Sequence, residues 1–314
     1  MTDNKLPLVS IITPSYNKGT FIEETVLSVM NQTYPNIEYI VTDGCSSDGT
    51  LDILRRYEDR LKWISEPDKG QSDAINKGWG MAKGEILAYL NADDTYMPWA
   101  IEEAVKYLAG HPSAGMVYGD CNIINGDSQL VGPCVEPRFD FVELLCGWCI
   151  IPQPAAFIRR QVIDEVGYLD TSLHMGMDYD LWIRIGFKFE MAHIPKVLAN
   201  FRMCPGTKSV DSGHRSIDDH LLIINRLFSD PELPQEWRRL ERRVYSGAHF
   251  IHAVNHASRH QIREALLQAA AVRLHPWYFL VACWRILALW TRRNVAQTII
   301  RCRRSWSRSP RVSR

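Results

Sequence analysis

Short apolar runs alternate with segments of helical period through the first half of the chain. Leu8–Thr13 predicts a strand, Phe21–Asn31 an amphipathic helix, Ile37–Asp43 a second strand and Thr50–Tyr57 a second helix. The series continues with a strand at Leu61–Ser65, a helix at Gly70–Ala82, a strand at Ile86–Leu90, a helix at Ala100–Ala109 and a strand at Ala114–Gly119. Such alternation predicts an α/β fold, a mostly parallel, Rossmann-like sheet with helices on both faces. Pro and Gly interrupt the pattern between Pro133 and Pro154. Helical period resumes over Arg160–Val166 and Met177–Phe187, and two short strands, Glu190–Ile194 and Val197–Arg202, close the sheet-containing part near Gly213. The expected organisation is one domain over residues 1–212 and a helical C-terminal extension over 213–314.

Sheets of this kind bind ligands beyond the carboxyl ends of their strands. Polar clusters fall there: Thr13–Asn17, Asp43–Thr50, Glu66–Asp73 and Asn91–Asp94. The run Asn91-Ala92-Asp93-Asp94 says most. Two neighbouring carboxylates at the end of a buried strand repel each other unless a cation lies between them and a ligand. A hard divalent ion that also takes phosphate oxygens meets that need. The simpler alternative is an Asp-rich turn capping the helix that begins near Pro98. Asp68, Lys69, Gly70, Gln71 and Asp73 form a dense polar turn before a helix whose N-terminus favours anions. Asp43 can accept hydrogen bonds from a base or ribose. Thr13-Pro14-Ser15-Tyr16-Asn17-Lys18-Gly19 carries neither the dinucleotide fingerprint nor the Walker pattern, and Gly78, Gly80 and Gly84 follow a helix at the wrong spacing. Hydride transfer and P-loop phosphoryl transfer are therefore disfavoured.

Composition adds a contrast between the two parts. The 314 residues are 46% hydrophobic and 23% charged, an ordinary globular balance. The formal net charge of zero conceals an asymmetry: beyond Glu264 there is no Asp or Glu, while Arg273, Arg285, Arg292, Arg293, Arg301, Arg303, Arg304, Arg308, Arg311 and Arg314 follow. The eight cysteines have no framework spacing. Cys146-Gly147-Trp148-Cys149 runs into Ile150-Ile151-Pro152, which does not continue a helix, and no second ligand pair stands at zinc spacing, so core-filling thiols are expected. Met1-Thr2-Asp3-Asn4-Lys5 leads into a strand with no apolar leader, which gives the expectation of a cytoplasmic location.

Several ordered motifs resemble the family 2 glycosyltransferases of the GT-A fold, inverting enzymes that move a sugar from a nucleotide donor. They are Val9-Ser10-Ile11-Ile12-Thr13-Pro14-Ser15-Tyr16-Asn17, Asp43-Gly44-Cys45-Ser46-Ser47-Asp48-Gly49-Thr50, Asp68-Lys69-Gly70-Gln71-Ser72-Asp73-Ala74, Asn91-Ala92-Asp93-Asp94, Gln153-Pro154-Ala155 and Met177-Asp178-Tyr179-Asp180-Leu181-Trp182. The resemblance implies that Pro14, Tyr16, Asn17, Asp43 and Asp73 line a nucleotide pocket, with Asp68, Lys69, Gln71, Asn91 and Ala92 beside them in the matching motifs. It implies that Asp93, with Asp94, holds Mn2+ or Mg2+, and that Asp178 is the catalytic base. Many relatives have Glu before that Asp; here it is Met177. Relatives often carry a metal-binding His after the last strand, where this chain has Cys204, a soft ligand poorly suited to either ion. Asp180, two positions from Asp178 on the same helix, points elsewhere and has Arg184 in reach.

The implied reaction is a single in-line displacement in which Asp178 takes the acceptor's proton. The donor would be a UDP, dTDP or GDP sugar, and the acceptor a glycan or lipid-linked hydroxyl in cell-surface polysaccharide synthesis. No Gln-x-x-Arg-Trp motif follows the base, which argues against a processive synthase. A sugar nucleotidyltransferase and a non-catalytic nucleotide-sugar or glycan-binding module are the rival readings. Gln153, Asp120 and the 138–150 segment are expected to set specificity. Near the C-terminus, Trp277–Trp290 is an apolar stretch interrupted by Arg285 and shorter than the ~20 residues that span a bilayer. With its flanking Trp and the Arg that follow, residues 276–314 fit attachment to an anionic membrane surface, so peripheral placement at the inner face of the cytoplasmic membrane is expected. No nucleic-acid-reading fold accompanies the Arg run, and nucleic acid is not expected as a partner.

Overall fold

The structure is a computed structural model and describes residues 6–134, 140–146, 151–211, 216–258 and 262–271. The chain divides into two compact units, Met1–Ser229 and Asp230–Arg314.

The first unit is built on a nine-stranded mixed sheet. Its first half follows the predicted alternation: β1 (Val9–Ser15), α1 (Ile22–Met30), β2 (Ile37–Asp43), α2 (Thr50–Arg55), β3 (Lys62–Ser65), α3 (Gln71–Met81), β4 (Ile86–Tyr89), α4 (Ala100–Gly110) and β6 (Ala114–Ile124). Between β4 and α4 lies the two-residue strand β5 (Thr95–Tyr96), and β7 (Leu130–Cys134), β8 (Ala156–Arg159) and β9 (Glu190–Arg202) complete the sheet. The strand order is β3-β2-β1-β4-β8-β6-β9-β5, with β7 on β6. β1, β2, β3, β4, β6 and β9 run one way; β5, β7 and β8 oppose them. β1 and β4 are buried throughout, which explains their unbroken apolar runs.

Three elements escape the hydrophobic pattern for physical reasons. β5 is too short to show a period. β7 and β8 fall in or beside the stretch broken by Pro and Gly. The two strands expected between Glu190 and Arg202 are one, because the ladder with β6 skips Pro195 and Lys196: Gly119 pairs Ile194 and Asp120 pairs Val197. Pro195 has no N–H to give the ladder, so a bulge absorbs it.

Two glycines fit α3 to the sheet. Gly70, at its N-cap, has φ +110, a conformation L side chains rarely adopt. A Cβ on Gly78 would lie 2.5 Å from Ile12 Cγ2, so its absence lets the helix rest against β1. Gly78 thus serves packing.

After β7 comes the short α5 (Phe141–Leu145), after β8 come α6 (Arg160–Val166) and α7 (Met177–Gly186), and after β9 the short α8 (Lys208–Asp211) and then α9 (Ser216–Ser229). α9 lies beyond the expected boundary at residue 212 and belongs to the first compact unit. The second unit contains α10 (Gln235–Arg238), α11 (Glu241–Ser258) and α12 (Ile262–Ala271). No helix among the described residues is long and apolar enough to cross a membrane. The expected membrane-facing segment 276–314, and Cys149 of the paired thiols, lie outside the described residues.

Candidate active site

A cavity of about 620 Å³ opens at the carboxyl ends of β1 and β4, a volume within the range of small-molecule sites. Pro14, Tyr16, Asp68, Lys69, Gln71, Asn91, Ala92, Asp93 and Asp178 all line it, as does Gln153. Segments far apart in sequence therefore meet where strand polarity predicts. Tyr16 is 63% exposed at the end of β1, an aromatic face left open on the cavity rim.

Asn17, Asp43 and Asp73, expected on the same wall, are not among the cavity-lining residues, and each makes hydrogen bonds within the protein. Asn17 turns the chain out of β1 with φ 50, its Oδ1 accepting from the Ser47 N–H at 2.9 Å. Asp43 is buried, and its carboxylate accepts from the Ser46 N–H at 2.8 Å, Ser46 Oγ at 2.5 Å and Ser65 Oγ at 2.8 Å. It holds the turn after β2. Asp73 accepts from the Lys69 N–H at 3.0 Å and fixes the polar turn before α3. Asp120, expected to affect specificity, pairs with His193 at 2.9 Å and is not among the cavity-lining residues.

The two neighbouring aspartates have separate tasks. Asp94 is 1% exposed; its Oδ1 accepts from the Arg202 N–H at 2.8 Å and its Oδ2 from Asn91 Nδ2 at 3.2 Å. Burial first, and the Asp93 charge second, hold its carboxyl well above the usual range. Asp93 faces the cavity, where Lys18 Nζ lies 2.8 Å from its Oδ2. The buried Arg202 steadies this corner by donating to the Asp93 carbonyl at 2.7 Å and to Glu24 Oε2 at 2.6 Å.

The donor set decides which kind of metal site fits. Among the described residues no group of three His, Cys, Asp or Glu is placed to hold an ion. Cys204 is not cavity-lining, and its side chain lies beside Gly126, where an added Cβ would be 3.7 Å from the Cys204 Sγ. Asp94 is committed to Arg202 and Asn91. Of the expected ligands one carboxylate remains, Asp93, with amide oxygens beside it. That set suits a hard cation arriving with phosphate oxygens, and does not suit a closed protein cage.

α7 presents Asp178 to the same cavity. Its Oδ1 accepts from the Tyr179 N–H at 2.8 Å. Burial raises its carboxyl above the ordinary range, against the lowering effects of that N–H and of Lys208. Asp180 is turned to Arg184, whose Nε donates to it at 2.8 Å and whose NH1 reaches the Val166 carbonyl at 2.6 Å. Asp180 is thus tied into the loop after α6, and Asp178 is the carboxylate of the pair that faces the cavity.

Sequence reasoning missed four contributors. Lys18 and Lys208 bring ammonium groups to the cavity. Burial lowers the Lys208 pKa, against the raising effect of Asp178 and Asp219. A one-way chain of amides crosses the floor: Lys208 Nζ donates to Gln71 Oε1 at 2.8 Å, Gln71 Nε2 to Asn91 Oδ1 at 2.6 Å, Asn91 Nδ2 to Gln153 Oε1 at 3.1 Å, and Gln153 Nε2 to the Tyr89 carbonyl at 2.8 Å. An obligate donor at one end and an obligate acceptor at the other fix every amide between them. Gln71, Asn91 and Gln153 were legible as motif residues, but their linkage was not. Asp219 on α9 accepts from the N–H groups of His174, Met175 and Gly176 at 2.8, 2.5 and 2.9 Å, and so sets the turn that launches α7. Nothing local in the sequence announces a contact spanning more than forty residues.

The fold is that of the GT-A glycosyltransferases, which its structural neighbours share. The model of the family described as "Glycosyl transferase family 2" matches residues 10–167, and the chain belongs to that family. It is 41% identical over 109 residues to a putative teichuronic acid biosynthesis glycosyltransferase of Bacillus subtilis, covering 33% of this chain and 43% of that protein. It is 28% identical over 174 residues to an uncharacterized glycosyltransferase of Nostoc, covering 52% of this chain and 54% of that protein. The chain thus spans about half the length of these curated relatives. In fold it is similar to a mannosyltransferase from Pyrobaculum calidifontis, solved with GDP-mannose and Mn2+, at a TM-score of 0.61 and 22% identity, covering 98% of this chain and 89% of that one.

Proposed function

We propose that the chain transfers a single sugar, with inversion, from a nucleoside diphosphate sugar to a hydroxyl of a glycan or lipid-linked acceptor in cell-surface polysaccharide synthesis. The observation that carries this reading is the placement of Asp93 and Asp178 on one cavity beside the open face of Tyr16. The family, and the teichuronic acid relative's name, support the reaction class and the setting.

In this reading Tyr16 receives the base by stacking, and Pro14, Asp68 and the amino end of α3 frame the nucleotide and its diphosphate. Asp93 holds Mn2+ or Mg2+, which when bound supplies Lewis-acid neutralisation of the diphosphate leaving group. Asp178 accepts the proton of the attacking hydroxyl. Its raised pKa suits a general base that must take a proton and later release it. The Lys208 charge acts against burial and lowers the Asp178 pKa. The amide chain through Gln71, Asn91 and Gln153 offers fixed donors and acceptors for sugar hydroxyls. No carboxylate in this scheme attacks the sugar, so the displacement inverts configuration.

A screen of UDP, dTDP and GDP sugars for protection against thermal unfolding, with and without Mn2+, tests the donor reading. At least one should raise the melting temperature only with metal. Nucleoside diphosphate release that depends on an added acceptor then tests transfer. Pyrophosphate release would point instead to a nucleotidyltransferase, and binding without turnover on any acceptor to a binding module.

A further inference from the structure

Lys18 stands on the loop between β1 and α1, where its backbone N–H donates to Thr50 Oγ1 at 3.0 Å. From that fixed origin its Nζ donates to Asp93 Oδ2 at 2.8 Å and to the Gly206 carbonyl at 3.1 Å. The two charged side chains are only 22% and 11% exposed, so water screens the pair poorly. A tethered ammonium therefore already occupies the carboxylate to which the proposed function assigns the metal.

We propose that Lys18 competes with the divalent ion for Asp93 and makes metal and donor bind as a unit. This rests on the reading of the cavity as a nucleotide-sugar site. Charge accounting supplies the reason. The Lys18–Asp93 pair is neutral. A divalent cation alone would add two positive charges beside an ammonium, and a diphosphate alone would add two negative charges beside a carboxylate. Entering together they add none, and Lys18 can exchange Asp93 for a diphosphate oxygen without leaving either charge unpaired. The chain's own lysine thus keeps Asp93 a weak metal site until the donor arrives.

The test is a titration of Mn2+ alone into the full-length protein, with free Mn2+ followed by electron paramagnetic resonance, for wild type, Lys18→Met and Lys18→Arg. Lys18→Met should bind Mn2+ on the order of ten-fold more tightly than wild type, a coupling of ordinary size, and Lys18→Arg should resemble wild type. With UDP or GDP present, the nucleotide should tighten Mn2+ binding strongly in wild type and much less in Lys18→Met. If Lys18→Met does not fold, Lys18→Gln carries the same expectation. Folded Lys18→Met with unchanged or weaker affinity for Mn2+ alone would overturn the inference. So would tight Mn2+ binding that survives Asp93→Asn in the Lys18→Met background, because the ion would then sit elsewhere. The two readings fail separately. Tightened Mn2+ binding with no nucleotide effect in any variant leaves the competition standing and removes the donor site. Joint Mn2+ and nucleotide binding in wild type with no change in Lys18→Met leaves the donor site and removes the competition.

Discussion

At the scale of single residues, the proposed chemistry rests on two carboxylates in unlike surroundings. Asp178 has its carboxyl raised by burial, so the base is lost as pH falls through a value above that of an ordinary aspartate. The acid limb of kcat should therefore lie at higher pH than an exposed carboxylate would give. Lys208 lowers the Asp178 pKa, as does backbone N–H donation at residues 178 and 179. Lys208→Met should move that limb to still higher pH, and a pH–rate profile of the two proteins checks the sign. Asp178→Asn keeps size but cannot accept the proton, and should lower kcat by at least ~100-fold with donor affinity little changed. Asp93 was legible because a strand end is fixed by local pattern, and Asp178 through the resemblance of its motif to the family's. The hydrogen-bond partners of Asp43 and Asp94 were not legible. Their partners Ser65 and Arg202 come from other strands, and only folding reveals that those carboxylates are already engaged.

At the scale of elements, the site depends on how α3 and α7 are seated. Gly78→Ala would press a methyl against Ile12, and should cost about 1–3 kcal/mol, read as a lower urea midpoint. Asp219→Ala would leave three N–H groups before α7 without their acceptor, and should cost about 2–3 kcal/mol. Because that turn carries Asp178, kcat should fall while the affinity for a nucleoside diphosphate stays close to wild type, a separation that kinetics and calorimetry can read. β1 through β4 and their helices were legible from alternation alone. β5, β7 and β8 were hidden by short length or by Pro and Gly, and their placement comes from pairing with β9, β6 and β4, contacts that no local window contains.

At the scale of the whole molecule, the sequence contrasts an acid-containing catalytic part with an arginine-rich end, and the two should serve different surfaces. Deleting the residues after Ala271 should release the protein from anionic lipid vesicles without weakening donor binding. Attachment of the intact chain should decline as salt rises, because exposed arginines are screened. Vesicle co-sedimentation checks both, and indifference to anionic vesicles at low salt would remove the membrane role. In the proposed function the cavity binds a nucleotide sugar through a metal at Asp93 and acts on it through Asp178. Calorimetric titration of the best nucleotide sugar with Mn2+ into wild type, Asp93→Asn and Asp178→Asn tests it most directly. Wild type and Asp178→Asn should bind alike and Asp93→Asn should lose metal-dependent binding, whereas wild-type affinity in folded Asp93→Asn would show that Asp93 holds no metal for the donor.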